Sequence, residues 1–185
     1  MPCHSGLPLF QRYGQELLEE LGLADDVHLV IDAPWGFAYW AFLELPRPVL
    51  IVTGCTALHY LRDLVDRKPE GLIAEPNAPV LLDVALRRIA TGERLYQGPS
   101  LDGEALTPRE RQVLRFVALG WSNDRIARAL QVSHRTIYNW VHRLKDKLGL
   151  ENRAQLALYY FGLLPYCQKW DRPELSQGKN SPVAG

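Results

Sequence analysis

The chain has 185 residues, 47% hydrophobic and 23% charged, a globular balance that excludes a disordered protein and allows one ordinary domain or two small ones. No apolar run approaches the length of a membrane span, and Met1-Pro2-Cys3-His4-Ser5 lacks the basic-then-apolar order of a secretory signal, so a cytoplasmic location is expected. Net charge is zero but unevenly spread: residues 1–104 carry 8 basic and 15 acidic side chains (−7), residues 105–164 carry 10 and 4 (+6), and the remainder +1. An acidic unit joined to a compact basic one is the electrostatic pattern of a phosphate-backbone binder. The three cysteines, Cys3, Cys55 and Cys167, are far apart and odd in number. They suit a reducing compartment and imply neither a disulfide framework nor a metal cluster.

In chain order, Pro8–Gly22 reads as an amphipathic helix with Leu9, Tyr13, Leu17, Leu18 and Leu21 near one face. Val27–Asp32 suits a buried strand. Pro34–Leu45 reads as an aromatic helix halted by Pro46-Arg47-Pro48. Val49–Thr53 is rich in β-branched residues and reads as a strand, followed by a helix over Thr56–Arg67, a third short strand at Gly71–Ala74 and a helix over Ala78–Ala90. This alternation predicts a small parallel sheet with crossover helices. Gln97–Gly103 has the composition of a linker. Four helices follow, at about 107–119, 123–130, 133–148 and 152–164, and residues 165–185 lack periodicity and read as a disordered tail. The expected fold class is therefore α/β plus all-α: an α/β domain over 1–96, a linker over 97–104, a four-helix domain over 105–164 and the tail.

The second domain carries the specific signals. Thr107, Pro108 and Glu110 form a helix start of the capping-box kind, Gly120 ends that helix, and Ser122 and Ser133 stand at the starts of the next two. Ile137, Val141, Leu144 and Leu148 fall on one stripe of the third helix. About half a turn away lie Arg135, Tyr138, Asn139 and His142, a polar face suited to a major groove. The segments Leu106-Thr107-Pro108-Arg109-Glu110-Arg111-Gln112-Val113-Leu114, Gly120-Trp121-Ser122-Asn123-Asp124-Arg125-Ile126-Ala127, Ser133-His134-Arg135-Thr136-Ile137-Tyr138-Asn139-Trp140-Val141 and Leu144-Lys145-Asp146-Lys147-Leu148-Gly149 strongly resemble the LuxR-type helix-turn-helix of NarL/FixJ response regulators. The resemblance implies that Tyr138, Asn139 and His142 meet base edges and that Arg135, Thr136 and Arg143 contact or flank phosphates. Trp140 stands where many members carry His, with the DNA backbone and the domain itself as its possible contacts.

The first domain resembles a response-regulator receiver with parts missing. Asp26–Asp32 looks like the strand ending in the phosphoacceptor Asp, Pro48–Thr53 like the strand with the switch Thr, and Glu70–Ala74 and Ala78–Arg94 like the fifth strand and last helix. Only a short segment precedes Val27, so the first strand, the first helix and the acidic pair that holds Mg²⁺ are expected to be absent. The position of the phosphoryl-pairing Lys falls on Glu75, which would repel a phosphoaspartate. The resemblance thus implies a degenerate, phosphorylation-independent receiver, with Asp32 kept as a candidate phosphoacceptor beside its reading as a strand-end relic. Loss of the first strand would open the Val27–Asp32 edge. The adjacent Trp35–Phe42 segment could cover that edge, form a homodimer contact or line a small-molecule pocket.

These features predict a transcription regulator that binds double-stranded DNA as a homodimer, with RNA polymerase as a further partner, no membrane partner and a nucleoid-associated location when bound. The alternative is a small-molecule-sensing regulator using an aromatic pocket in the first domain. The histidines lack metal-ligand spacing, and no phosphate loop or nucleophile motif occurs, so neither an enzyme nor a cofactor is expected.

Overall fold

The computed structural model describes residues 2–75, 78–103 and 106–165. Its elements are β1 (Cys3–His4), α1 (Pro8–Leu21), β2 (His28–Ile31), α2 (Phe37–Ala41), β3 (Val49–Val52), α3 (Leu58–Val65), β4 (Gly71–Ile73), α4 (Ala78–Ala90), β5 (Leu95–Gln97), α5 (Pro108–Ala118), α6 (Asn123–Leu130), α7 (His134–Leu148) and α8 (Arg153–Tyr160). The expected α/β plus all-α class is the one observed. The strands form one parallel sheet in chain order, β1-β2-β3-β4-β5.

Side chains alternate across the sheet, as a strand's period of two requires. Leu29, Leu50 and Ile73 point to the face covered by α1 and α4, where Leu18, Leu82, Leu86 and Ile89 complete a core. Val30, Ile51 and Leu72 point to the other face, onto Tyr39 of α2 and Tyr60, Leu61 and Leu64 of α3. This second core continues unbroken into Val113, Leu114, Ile126, Ile137 and Leu156 of the helical domain. The two halves therefore share one interior.

Several expectations need correction. The first strand is present: Cys3 pairs with Leu29 and His4 with Val30, and α1 follows it, so Val27–Asp32 does not form an open outer edge. In the receiver order 2-1-3-4-5 the first strand lies beside the one ending in the phosphoacceptor Asp. β1 holds that place, and among the described residues the unit without a counterpart is the second strand and one helix. The helix expected over Pro34–Leu45 is only five residues long, with a 3-10 turn at Phe42–Glu44. β5 is a strand that the sequence pattern did not show, and it ends on the first residue of the expected linker. The expected tail lies, apart from Pro165, outside the described residues.

The crossovers differ in hand. All strands are parallel and the chain advances across the sheet in one direction, yet α1 and α4 cover one face and α2 and α3 the other. Connections on opposite faces of such a sheet have opposite hands, so two of the four depart from the usual right-handed rule. Both α1 and α4 lead into or out of an edge strand of two or three residues, where little pairing energy depends on the hand. For α1 the same placement results if the second strand and second helix of a receiver are removed while α1 keeps its own face; the connection through α4 to β5 is additional.

Candidate nucleic-acid interface

Each helix of the second domain starts on a side-chain cap, which satisfies backbone donors that would otherwise lack partners. The Thr107 hydroxyl accepts from the Glu110 amide while the Glu110 carboxylate accepts from the Thr107 amide, the capping box read from the sequence. Ser122 caps α6, Ser133 caps α7 by accepting from the Thr136 amide at 3.1 Å, and Asn152 caps α8. Between α6 and α7, Gln131 takes a left-handed conformation at φ +53°, which turns the chain within three residues. Ile137, Val141 and Leu144 are buried against α5 and α6.

That packing fixes which face of α7 is free. Arg135, Tyr138, Asn139 and His142 are exposed and share one face, spanning roughly 100° at 100° per residue. Tyr138 is 58% exposed although it is a large aromatic residue. His142 Nδ1 lies 2.9 Å from the Asp146 carboxylate, which orients the ring and leaves Nε2 as its outward atom. Arg143 is exposed at the flank. Thr136 is half-buried, its hydroxyl 2.8 Å from that of Ser133, so it sits at the helix start rather than on the open face. Trp140 packs on the domain core with the Arg109 guanidinium 5.2 Å above its ring, and so turns away from the exposed face. Lys145 lines a cleft with Tyr138 and His142; sequence reasoning did not single it out, although its i+3 offset from His142 was visible.

The receiver-like half places Asp32 quite differently. It is 3% exposed, and its carboxylate accepts four hydrogen bonds: from the Gly36 and Ala38 amides at 3.0 and 2.9 Å, from the Thr53 hydroxyl at 2.7 Å and from the Tyr60 hydroxyl at 2.8 Å. Burial pushes its pKa up while these donors pull the other way. Gly36 has φ +97°, a left-handed conformation open to glycine, and its amide reaches both Asp32 and the Tyr60 hydroxyl. Glu75, at the position of the receiver Lys, accepts from the Gln97 amide group at 3.0 Å.

Tyr60 and Asp63, both on α3, connect this half to the helical domain, a joint for which the sequence offered no signal. The Asp63 carboxylate, 2% exposed, receives Arg111 Nε and Arg115 Nη1, each at 3.1 Å, and the Tyr160 hydroxyl at 2.5 Å. Burial raises the Asp63 pKa; Arg115, Tyr160 and Arg111 oppose that rise. The Tyr60 and Tyr160 rings meet edge-on at 5.6 Å, and the Cys55 thiol donates to the Phe161 carbonyl at 3.3 Å. The aromatic segment adds to the joint: Tyr39 is buried under the Arg115 guanidinium, and Trp40 lies parallel to Trp121, which stacks on Phe116.

Residues 104–160 match the luxR family of bacterial regulatory proteins. Over 121 residues the chain is 32% identical to the probable transcriptional regulatory protein SgaR of Hyphomicrobium methylovorum, covering 62% of this chain and 57% of that protein. Over 126 residues it is 30% identical to a nitrate/nitrite response regulator protein homolog of Haemophilus influenzae, covering 61% and 60%. The chain thus spans about three fifths of the length of these relatives. A solved structure of the RcsB response regulator of Salmonella typhimurium is 25% identical and covers 78% of this chain and 80% of that one, with a TM-score of 0.39. Residues 104–160 thus carry a LuxR-type helix-turn-helix, and over about three fifths of its length the chain is similar to proteins named as transcriptional and nitrate/nitrite response regulators.

Proposed function

We propose that the chain is a transcription regulator that binds specific double-stranded DNA sequences as a dimer, without phosphorylation of its receiver-like half. The observation that carries this reading is the open polar face of α7. Arg135, Tyr138, Asn139 and His142 stand in solvent while the two halves are joined through Asp63, Tyr160 and the Trp40–Trp121 stack, so no domain has to move before a groove can be met. Asn139 and His142 read base edges, with Tyr138 beside them; Arg135 and Arg143 meet phosphates, and Thr136 steadies the helix start from which backbone amides face the DNA. Independence from phosphorylation is supported by the four donors that saturate Asp32, by Glu75 in place of a cation, and by Ser5 and Gly6 following β1 where carboxylates would hold Mg²⁺. A cytoplasmic location on the nucleoid and contact with RNA polymerase belong to the same reading; no helix among the described residues is long and apolar enough to cross a membrane. The small-molecule alternative loses its main support, because Tyr39 and Phe42 are buried in the core and Trp40, 44% exposed, lies against Trp121.

Binding to a site selected from random DNA, measured over a range of salt with and without acetyl phosphate and Mg²⁺, tests this. Asn139→Ala should weaken the selected site by about 1–3 kcal/mol and relax its sequence preference. Arg135→Ala should weaken all sequences alike and lower the salt slope by about one. Acetyl phosphate should change neither affinity nor mass. Salt-independent binding would sink the DNA reading, and Mg²⁺-dependent labelling abolished by Asp32→Asn would sink phosphorylation independence.

A further inference from the structure

A cavity of about 600 Å³ opens beside the end of α3, over the starts of β4 and β5, within the size range of small-ligand sites. Val65, Leu72, Leu95 and Leu101 give it an apolar lining, and Val65, Leu72 and Leu101 belong to the interior that the two halves share. Its outer wall is tied down: the Tyr96 hydroxyl donates to the Pro99 carbonyl at 2.7 Å, and Arg62 Nε donates to the Leu101 carbonyl at 3.0 Å. The cavity therefore touches α3, the added strand β5 and the segment that leads to the helical domain. It takes nothing from the aromatic Trp35–Phe42 segment.

Charge at the rim indicates what fills it. Residues 1–104 are acidic overall, at −7, yet the charged side chains of this lining are Lys68, Arg94 and Glu70. Glu70 is already engaged: one carboxylate oxygen meets Arg47 at 2.6 Å and the other accepts from the Val49 amide at 2.9 Å. Lys68 and Arg94 are exposed, and neither forms an ion pair among the described residues. Lys68 also takes φ +56°, a conformation in which glycine is the unstrained residue and a cation stands instead. An apolar hollow with two such cations at its mouth fits a small molecule with an apolar body and one carboxylate. The body displaces water from Val65, Leu72 and Leu101, while the carboxylate accepts charge-assisted hydrogen bonds from Lys68 and Arg94. We infer that this cavity is a binding site for an apolar carboxylate, held by Lys68 and Arg94 against the wall between α3 and β5. Such a ligand rests on α3, whose Asp63 holds Arg111 and Arg115 of the helical domain. It acts on that joint to the extent that it binds the joined form better.

Calorimetric titrations and thermal melts of the full chain with decanoate, naphthoate, decanol and decyltrimethylammonium test the assignment, on the wild type and on Lys68→Glu, Arg94→Glu and Leu101→Trp. A melt without ligand checks that each variant is folded; the two charge reversals are at exposed positions and carry the test by themselves if Leu101→Trp does not fold. At least one of the two carboxylates should bind the wild type and raise its melting temperature. A preference for decanoate marks a chain-like ligand, and a preference for naphthoate a ring. Each charge reversal should weaken that carboxylate by roughly tenfold. Decanol should bind more weakly by a similar factor, and Leu101→Trp, which fills the hollow, should abolish binding. The inference is overturned if neither carboxylate binds, if the alcohol or the ammonium ion binds as well as the acid, or if the acid binds every variant alike. The DNA reading stands or falls separately, since none of the changed residues lies in α5, α6, α7 or α8.

Discussion

His59 shows how a single buried side chain ties stability to acidity. It lies on α3 at the joint, 4% exposed, its ring 5.8 Å from that of Tyr159 and its Nδ1 without a hydrogen-bond partner. Burial, reinforced by the positive charges of Arg62, Arg111 and Lys147, pulls its pKa down from 6.5 to about 4. The unfolded chain therefore takes up this proton first. The stability involved is complete above the unfolded pKa near 6.5 and is lost as the pH falls toward 4. Going from about pH 7.5 to about pH 5 should cost of the order of 2 kcal/mol through this group. Asp32 and Asp63, both pushed upward by burial, act in the opposite sense on acidification. The comparison that isolates His59 is thus between wild type and His59→Leu. Urea melts should show the variant losing clearly less stability over that interval, and equal losses would mean that the ring does not stay neutral in the fold.

At the scale of elements, α1 depends on one missing methyl group. A Cβ at Gly14 would stand 2.3 Å from Cys3 Sγ, 3.1 Å from Leu29 Cδ2 and 3.2 Å from Ile31 Cδ1. Alanine in a helix interior is favoured over glycine by about 1 kcal/mol, but forcing atoms into a filled core costs about 1–3 kcal/mol. Gly14→Ala should therefore lower the melting temperature, and adding Cys3→Ala, which removes the sulfur, should recover part of the loss; a stabilised single variant would show that α1 stands further from β1. The same element shows why legibility differed along the chain. In the helical domain every helix carries its own cap and its own apolar stripe, so Thr107, Ser122, Ser133 and Ile137–Leu148 announce themselves within a few residues. β1 and β5 are two and three residues long, too short to express a period, and they exist because β2 and β4 already present unpaired edges. The exposed face of α7 was readable from its wheel, except for Thr136, whose half-buried place depends on Ser133. The joint was not readable at all: Asp63 meets Tyr160 across 97 residues and Cys55 meets Phe161 across 106, and neither spacing leaves a local trace.

For the whole molecule, the shared core makes the two halves one cooperative unit despite their opposite net charges. Asp63→Ala would leave the mostly buried Arg115 without its anion and Arg111 with only the exposed Asp66, and removing one partner of a buried pair costs about 3–5 kcal/mol. Calorimetry should resolve one transition for the wild type and two for the variant, with the capped α7 intact in the more stable part; a single unshifted transition would show that the apolar seam alone joins the halves. Gly6 carries a last consequence. A Cβ there would lie 2.8 Å from Pro34 Cδ and 2.9 Å from the Ala33 carbonyl oxygen, and Phe37 closes the remaining side at 3.1 Å. If the chain descends from a phosphorylated receiver, the place of its acidic pair has since been filled by backbone and ring. No single substitution at position 6 can bring back a carboxylate without moving the loop that also holds Gly36 against Asp32. Such a loss acts as a ratchet: descendants can change how they dimerise or which DNA they read, but regaining the phosphate switch would require several simultaneous changes.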